Sequence, residues 1–164
     1  EFGTRVLDVQ EMTTKKETVK KFIENKLDLP ENNNDGGTNL QAAIERADTV
    51  LNNGKWEDAK QIVIVLTDGI PTYFTYNNNI YGTGQNDDEV AYNCKGYYCD
   101  SQRPSDAALK AMNKLKRNHS TSDVYPIVFW NDTRATANLK KINPEQSQPL
   151  YKNYNDKARV YKMF

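Results

Sequence analysis

The chain has 164 residues, about one domain's worth, and its 22 basic side chains balance its 22 acidic ones. A neutral, polar chain lacks the basic excess of a nucleic-acid-binding domain, and no apolar run approaches the ~20 residues that a membrane span needs. The longest aliphatic run, 62–66, has the length of a strand. We therefore expect a single domain over residues 1–164, without an internal linker.

The first third of the chain predicts a short strand and two helices. Apolar residues bounded by polar ones predict the strand within 4–10. A capping-box spacing followed by a helical apolar period predicts a helix over 15–27. A second capping box, formed by Thr38 and Gln41, is expected to begin another amphipathic helix, which ends at Gly54.

Residues 61–66 form the clearest predicted element. Their five consecutive aliphatic side chains are mostly β-branched, which is typical of a strand buried on both faces in the middle of a parallel sheet. Thr67, Asp68 and Gly69 then end the strand with turn chemistry. Ligands of open α/β sheets bind beyond the carboxyl ends of the strands, so Asp68 lies where a binding residue is expected.

The rest of the chain predicts a long insertion, followed by a further alternation of helices and strands. Residues 71–104 show no clear periodicity, and irregular regions of this length are often functional. Ser105 is expected to cap a helix, residues 124–130 predict a second buried strand, and residues 133–142 predict a short helix. The polar tail after Pro144 ends in apolar residues that fit a last strand or helix. This alternation predicts the α/β class.

Aromatic side chains are concentrated in the insertion. Seven of them lie within 26 residues: Tyr73, Phe74, Tyr76, Tyr81, Tyr92, Tyr97 and Tyr98. Aromatic rings bury a large area at low entropic cost and dominate binding hot spots. We predict that the six tyrosines bind a partner. The alternative is that the rings only pack the insertion onto the domain, above all at Phe74 and Tyr76.

The two cysteines, Cys94 and Cys99, flank a short segment that contains a glycine suited to turning. We predict that they form a disulfide, which would stiffen the insertion. In the chain-entropy description, such a cross-link stabilises the fold by about 2–3 kcal/mol because it constrains the unfolded chain. A disulfide implies an extracellular location, whereas two free thiols are the alternative.

Other polar residues give weaker signals. The acidic run 87–89 could hold Ca²⁺, but it lacks EF-hand spacing and a solvated acidic loop is the favoured interpretation. His119, the only histidine, follows a predicted helix in a polar context and is expected to be exposed. The sequence contains neither a Gly-x-Ser-x-Gly elbow nor a Gly-x-x-x-x-Gly-Lys phosphate loop, and we expect no enzymatic activity.

Two motifs carry a family resemblance. The first is Gly36-Gly-Thr-Asn-Leu40, and the second is Ile62-Val-Ile-Val-Leu-Thr-Asp-Gly69, with about thirty residues between Thr38 and Asp68. Together they resemble the von Willebrand factor A domain, in the version found in pilus adhesins of Gram-positive bacteria. The resemblance covers roughly residues 2–142. It implies a doubly wound, mostly parallel, Rossmann-like sheet flanked by helices, with residues 71–104 as the inserted loop region.

The resemblance also implies a site for one divalent cation, Mg²⁺ or else Mn²⁺ or Ca²⁺. Thr38 and Asp68 match two of the family's ligands, and hydroxyl and carboxylate oxygens suit a hard cation. Thr38 could instead be only a helix cap, and Asp68 only a turn residue. The family's Asp-x-Ser-x-Ser ligands are not matched, because the segment Asp8–Met12 has Gln and Met at the serine positions and lies in the wrong register. We expect those ligands upstream of Glu1, so the chain alone should bind the cation weakly.

The resemblance implies a ligand-binding adhesion module of a bacterial surface or pilus-associated protein. Its expected partners are a host extracellular-matrix or cell-surface protein or glycan, other pilus or surface subunits, and the missing N-terminal segment of the same domain. Nucleic acid and membrane insertion are not expected. One alternative is a structural domain that joins pilus subunits and has a vestigial metal site. Another is a cytosolic A-type domain that assists a chelatase or an ATPase.

Overall fold

The computed structural model describes residues 3–6, 9–26, 36–54, 59–67, 70–92, 100–128 and 133–142. These residues form an α/β protein, as the alternation of the sequence predicted. The helices are α1 (Lys16–Lys26), α2 (Leu40–Asn53), α3 (Pro104–Asn118) and α4 (Thr133–Ile142). The strands are β1 (Ile62–Thr67), β2 (Tyr73–Tyr76), β3 (Asn79–Gly82), β4 (Val90–Tyr92), β5 (Asp100–Gln102) and β6 (Asp123–Val128).

Strands β1 and β6 form a small parallel sheet. Ile62 pairs with Asp123 at one end and Thr67 with Val128 at the other, so both strands end at the same edge. Helix α3 precedes β6, and the connection from β1 to β6 is therefore a crossover of the kind that parallel strands require. The other described strands form two antiparallel hairpins, β2–β3 and β4–β5.

Helices α2 and α3 pack against each other and cover one face of the parallel sheet. Leu40 and Ile44 of α2 meet Met112 and Leu115 of α3, all about 1 % exposed. Val63 and Val65 of β1, Val124 of β6 and Ile142 of α4 complete this cluster. The apolar periods of the two helices predicted these inward faces, because residues three and four apart share one side of a helix.

Strand β1 is covered on only one face, which corrects the expectation of burial on both. Val63, Val65 and Thr67 are buried, whereas Ile62, Ile64 and Leu66 are 49 %, 41 % and 49 % exposed. The alternation follows from the period of two in a strand, combined with the packing of α2 and α3 against the side that carries Val63 and Val65. A run of consecutive aliphatic residues thus indicated two buried faces, and the described residues cover one of them.

The insertion contains regular structure that its sequence did not predict. Strands β2 and β3 are joined by Asn77 and Asn78, whose φ values of 47° and 63° are left-handed. Asparagine tolerates this conformation, and two such residues make the tight turn that suits the twist of a hairpin. The turn places Phe74 opposite Tyr81. The aromatic residues of the insertion therefore lie on a hairpin rather than on an irregular loop.

The predicted strand over 4–10 is largely missing from the described part of that segment, where Val6 forms an isolated bridge. The predicted helices are confirmed with shifts of one or two residues at their ends. The predicted strand over 124–130 is observed as β6, and residues 129 and 130 lie outside the described part. None of the described helices is long and apolar enough to cross a membrane.

Candidate ligand-binding site beside the Thr38 loop

The loop before α2 is joined by backbone hydrogen bonds to the segment that follows β1. The Thr38 N–H donates to the Thr72 hydroxyl at 2.9 Å, and the Thr38 carbonyl accepts from the N–H groups of Thr72 and Tyr73 at 2.9 and 3.2 Å. Thr38 and Thr72 are both buried. Two segments more than thirty residues apart in sequence therefore share one fixed junction.

Asn39, and not Thr38, caps helix α2. Its side-chain oxygen accepts from the Ala42 N–H at 3.0 Å, which satisfies a backbone donor that the first turn of a helix leaves unpaired. The same side chain donates to the Thr4 carbonyl and to the Thr75 hydroxyl, both at 2.9 Å. The predicted capping box of Thr38 and Gln41 is therefore wrong. Asn is at least as good a cap as Thr, and here it also has acceptors on two neighbouring segments.

Gln41 binds the hairpin instead of the helix end. Its side-chain oxygen accepts from the Thr75 N–H at 2.9 Å, and its side-chain nitrogen donates to the Thr75 carbonyl at 3.1 Å. The amide thus pairs with β2 as a neighbouring strand would. The hydrogen bonds of Asn39 and Gln41 to Thr75 therefore attach β2 to the first turn of α2.

Tyr73 packs in a recess that glycines provide. A Cβ atom at Gly37 would lie 2.3 Å from the Tyr73 ring, and one at Gly84 would lie 2.6 Å from the Tyr73 hydroxyl oxygen. Gly82 has a φ of 151° and would place a Cβ 2.1 Å from the Thr72 carbonyl oxygen. Tyr73 therefore packs between the loop and the hairpin, and its predicted contact with a ligand stays a prediction.

Four aromatic rings of the two hairpins form one cluster. Phe74 is fully buried, and its ring centroid lies 5.6 Å from that of Tyr81 and 5.5 Å from that of Tyr92. Tyr76 lies 4.4 Å from Tyr92 in an edge-to-face arrangement, which aromatic quadrupoles favour. The three tyrosines are only half-buried. The structure thus brings together Tyr76, Tyr81 and Tyr92 of the predicted binding tyrosines, with Phe74 beneath them.

The pKa of the Tyr92 phenol is raised above its ordinary value. Burial among the other rings raises the pKa of its phenol, and the nearby Asp100 carboxylate raises it further. Both effects disfavour the phenolate. The phenol is therefore a neutral donor and acceptor over the physiological range, suited to hydrogen bonding with a partner.

Several predicted site residues lie outside the described part of the chain. They are Asp68, Cys94, Tyr97, Tyr98 and Cys99. The described residues on either side of Asp68 are placed: Thr67 is buried at the end of β1, and Ile70 packs against Ala135 of α4. Within the described ranges, no group of three or more His, Cys, Asp or Glu side chains is positioned to hold a metal ion.

Asp88 and Glu89 of the predicted solvated acidic loop are exposed, whereas Asp87 has a defined structural role. It accepts from the Ser105 N–H at 2.7 Å and from the Ser105 hydroxyl, at the first turn of α3. Ser105 is therefore the residue that is capped, not the capping residue that its sequence predicted. An acidic side chain is favourable at a helix N-terminus because it lies near the positive end of the helix dipole. This contact attaches the hairpin region to α3.

His119 is buried, at 7 % exposed, which overturns the expectation of an exposed histidine. Its Nε2 lies 2.9 Å from an oxygen of the buried Asp48 carboxylate. Asn118 donates to both oxygens of that carboxylate at 3.1 Å. The polar sequence around His119 concealed its partner, which lies 71 residues away on α2.

Comparisons with known proteins gave no match among protein-family models, curated proteins or solved structures. Function is therefore inferred from the fold and from these contacts.

Proposed function

We propose that this chain is a ligand-binding adhesion module of the von Willebrand factor A type, with a doubly wound sheet in the intact domain. The proposal assigns it to an extracellular bacterial surface or pilus-associated protein and gives it no catalytic role. The observation that carries it is the junction of Thr38 with Thr72 and Tyr73, which joins one resemblance motif to the start of the aromatic hairpin. A cation site and a recognition surface would thus share one edge of the domain.

The proposed recognition surface is the half-buried side of Tyr76, Tyr81 and Tyr92, continued by Tyr97 and Tyr98. Rigid rings already held by Phe74 lose little conformational entropy when a partner binds them. The partner is a host extracellular-matrix or cell-surface protein or a glycan. Helix α2 and the Asp87 contact to α3 hold the hairpins, so the surface is supported by regular elements.

The proposed cation site uses the Thr38 hydroxyl and the Asp68 carboxylate. The donor chemistry fits Mg²⁺, or Mn²⁺ or Ca²⁺, because both groups supply hard oxygen ligands. Two protein oxygens are too few to replace much of the hydration shell of Mg²⁺, which takes about six ligands. The remaining ligands are proposed to come from a segment upstream of Glu1.

A binding assay tests the recognition surface. The chain is presented to immobilised collagen, fibronectin and a glycan array, as wild type and as the Tyr97→Ala/Tyr98→Ala and Tyr76→Ala variants. We expect each variant to bind at least about tenfold more weakly, because hot-spot aromatic residues contribute more than ~1.4 kcal/mol. The matched control is Ile80→Ala, an exposed hairpin residue on the opposite face. If both variants bind as tightly as wild type, the proposed recognition surface is wrong.

Calorimetry with MgCl₂ tests the cation site separately. We expect millimolar or undetectable affinity for the 164-residue chain, and tighter binding by a longer chain that includes the upstream segment. Asp68→Ala should abolish binding in the longer chain. Tight binding by the short chain would place Asp8 in the site instead. In either case the result does not depend on the identity of the adhesion partner.

A structural role in joining pilus subunits is the second candidate. It is favoured by the packing of Tyr76 and Tyr81 onto other rings of the insertion and by the recess around Tyr73. Intact pili that lose attachment to host cells when residues 73–98 are deleted would support the adhesion module. Loss of pilus assembly in that deletion would support the structural role.

A further inference from the structure

The described part of the chain has one surface on which exposed apolar side chains converge. Seven of its eight exposed large hydrophobic residues lie there: Val9, Met12, Val19, Ile23, Ile62, Ile64 and Leu66. We name these seven residues the open apolar surface. Contiguous apolar patches of this kind are uncommon on monomeric domains and mark places where another segment or molecule docks. The eighth residue, Ile80, lies apart on the β2–β3 hairpin.

Part of the open apolar surface is a groove. It lies between residues 6–13, α1, α2 and the first half of β1, and has a volume of about 680 Å³. The charged side chains that line it are Glu11 and Arg46, which form an ion pair with each other. The occupant that fits the groove is therefore apolar, since the lining offers no uncompensated charge to a charged one.

The chain has a segment of matching chemistry in residues 143–164, which lie outside its described part. These 22 residues hold seven large apolar or aromatic side chains: Leu150, Tyr151, Tyr154, Val160, Tyr161, Met163 and Phe164. Four of the seven fall within the last five residues. The end of the chain is thus its most apolar stretch outside the described elements.

The starting point of that segment is fixed beside β1. Ile142, the last residue of α4, is buried in the cluster that contains Val63 and Val65. A helix or sheet packs about 10 Å from the next layer, and an extended chain spans about 3.3 Å per residue. Twenty-two residues therefore have ample length to pass from the covered face of β1 to its open face.

We propose that residues 143–164 cover the open apolar surface, with Val160, Met163 and Phe164 packing against Ile62 and Ile64. The spacing of these three tail residues is that of one helix face, and a helix is a suitable cover for one face of a sheet. The proposal goes beyond the binding function and does not depend on it. It assigns the second layer of the domain to the chain itself and not to a second copy.

A double-variant cycle in the full chain tests the proposal. The variants are Ile64→Asp, the tail variant Val160→Ser/Met163→Ser/Phe164→Ser, and their combination, each unfolded in urea. We expect each single change to lower the urea midpoint and the combination to lower it no further than the larger single effect. Asp is also unfavourable in a strand, so a lowered midpoint alone does not report a cover. The diagnostic result is that the effects of Ile64→Asp and the tail variant do not add.

Controls separate the proposal from a local strand effect. Ile80→Asp places the same charge in another exposed strand position, 44 % exposed, and its effect should add to that of the tail variant. If the combined variant does not fold, Ile64→Thr keeps a β-branched side chain and repeats the cycle at lower cost. Additive effects of Ile64→Asp and the tail variant, or no effect of either, would overturn the proposal. So would a dimeric mass by sedimentation that Ile64→Asp converts to a monomer.

Discussion

The domain has two packed regions that are built differently. Under α2 and α3 the core is aliphatic, its residues come from regular elements far apart in sequence, and most are about 1 % exposed. In the two hairpins the packing is aromatic, and one fully buried ring, Phe74, lies beneath three half-buried tyrosines. The first region follows from apolar periodicity. The second depends on turns and ring geometry, and it leaves aromatic surface available to a partner.

Under the proposed function, this difference separates the residues that contribute stability from those that bind a partner. Aliphatic side chains on helices can be buried completely, so they contribute stability and no surface. Tyrosines can be half-buried, because their hydroxyl groups keep contact with water while the rings pack. Contacts of Gln41 and Asp87 with the hairpin region join the two regions at the first turns of α2 and α3. The following predictions test how far the regions depend on each other.

The largest effect is expected from Phe74→Ala. Removing the one fully buried ring of the aromatic cluster should lower the free energy of unfolding by about 3–5 kcal/mol, as for other buried Phe residues. Chemical denaturation followed by circular dichroism measures it. Ile80→Ala, on the exposed face of the same hairpin, is the control and should shift stability by no more than about 0.5 kcal/mol. Equal effects of the two changes would mean that the hairpins do not share the stability of the helical core.

A smaller loss is expected from Gly37→Ala, which tests the junction between the regions. The new methyl group would lie 2.3 Å from the Tyr73 ring and force one of them to move, at a cost of about 1–3 kcal/mol. Thermal unfolding of Gly37→Ala, Tyr73→Ala and the double variant measures the coupling. The double variant should be more stable than the sum of the single effects predicts. Simple additivity would show that the ring does not occupy the space beside Gly37.

A loss of similar or smaller size is expected from Asp48→Ala on the helical side. The change leaves the buried His119 and the Asn118 amide without their carboxylate, which costs about 1–3 kcal/mol for a buried unpaired group. Glu45→Ala, an exposed acidic residue on the same helix, is the matched control. Urea unfolding of both variants measures the loss. If the Asp48→Ala midpoint equals that of Glu45→Ala, the contacts of Asp48 with Asn118 and His119 do not stabilise the packing of α2 on α3.

The smallest effect is a dependence on alkaline pH confined to the aromatic region. The pKa of Tyr92 is raised above its usual value of 10.0 in the folded state, chiefly by burial and then by Asp100. The neutral phenol is favoured on folding, so its contribution is complete below pH 10 and is lost as the pH rises through the folded pKa. Stability measured between pH 8 and 11 should fall less steeply for Tyr92→Phe than for wild type. If stability falls equally steeply with pH in both proteins, the pKa of Tyr92 is not raised on folding.

Apolar patterning predicted the elements of the covered core well. The periods of α2 and α3 identified their inward faces, and the aliphatic run identified β1 with its parallel neighbour. It predicted a cover for both faces of β1, and the described residues cover one. A sequence records that Ile62 and Ile64 are apolar, but not which segment packs against them. Apolar patterning also missed the hairpins, whose turn residues Asn77 and Asn78 lie within the region 71–104 that shows no clear periodicity. Two asparagines between aromatic strands are a two-residue turn signal that could have revealed them.

Prediction of the candidate site was limited by interactions between distant residues. Thr38 was singled out by its motif, but its hydrogen-bond partners Thr72 and Tyr73 have no local signal. Asn39 could have been preferred as the cap, because Asn ranks above Thr at that position. The pairing of Asp48 with His119 spans 71 residues and becomes visible only once α2 and α3 are packed together. The metal role of Thr38 and Asp68 and the binding role of the tyrosines stay predictions.

The two-residue turn at Asn77 and Asn78 has a consequence for how this segment can vary. Because side chains alternate between the two faces of a strand, a register shift of one residue, which a change in turn length can cause, would reverse the faces of β3 relative to β2. Tyr81 would then leave Phe74, and Ile80 would take its place in the aromatic cluster. Replacing either tip residue with Gly or Asp keeps the left-handed turn and the register, whereas a shift in register alters every ring contact at once. Homologous variants of this hairpin should therefore keep the length of the tip and use Asn, Asp or Gly there.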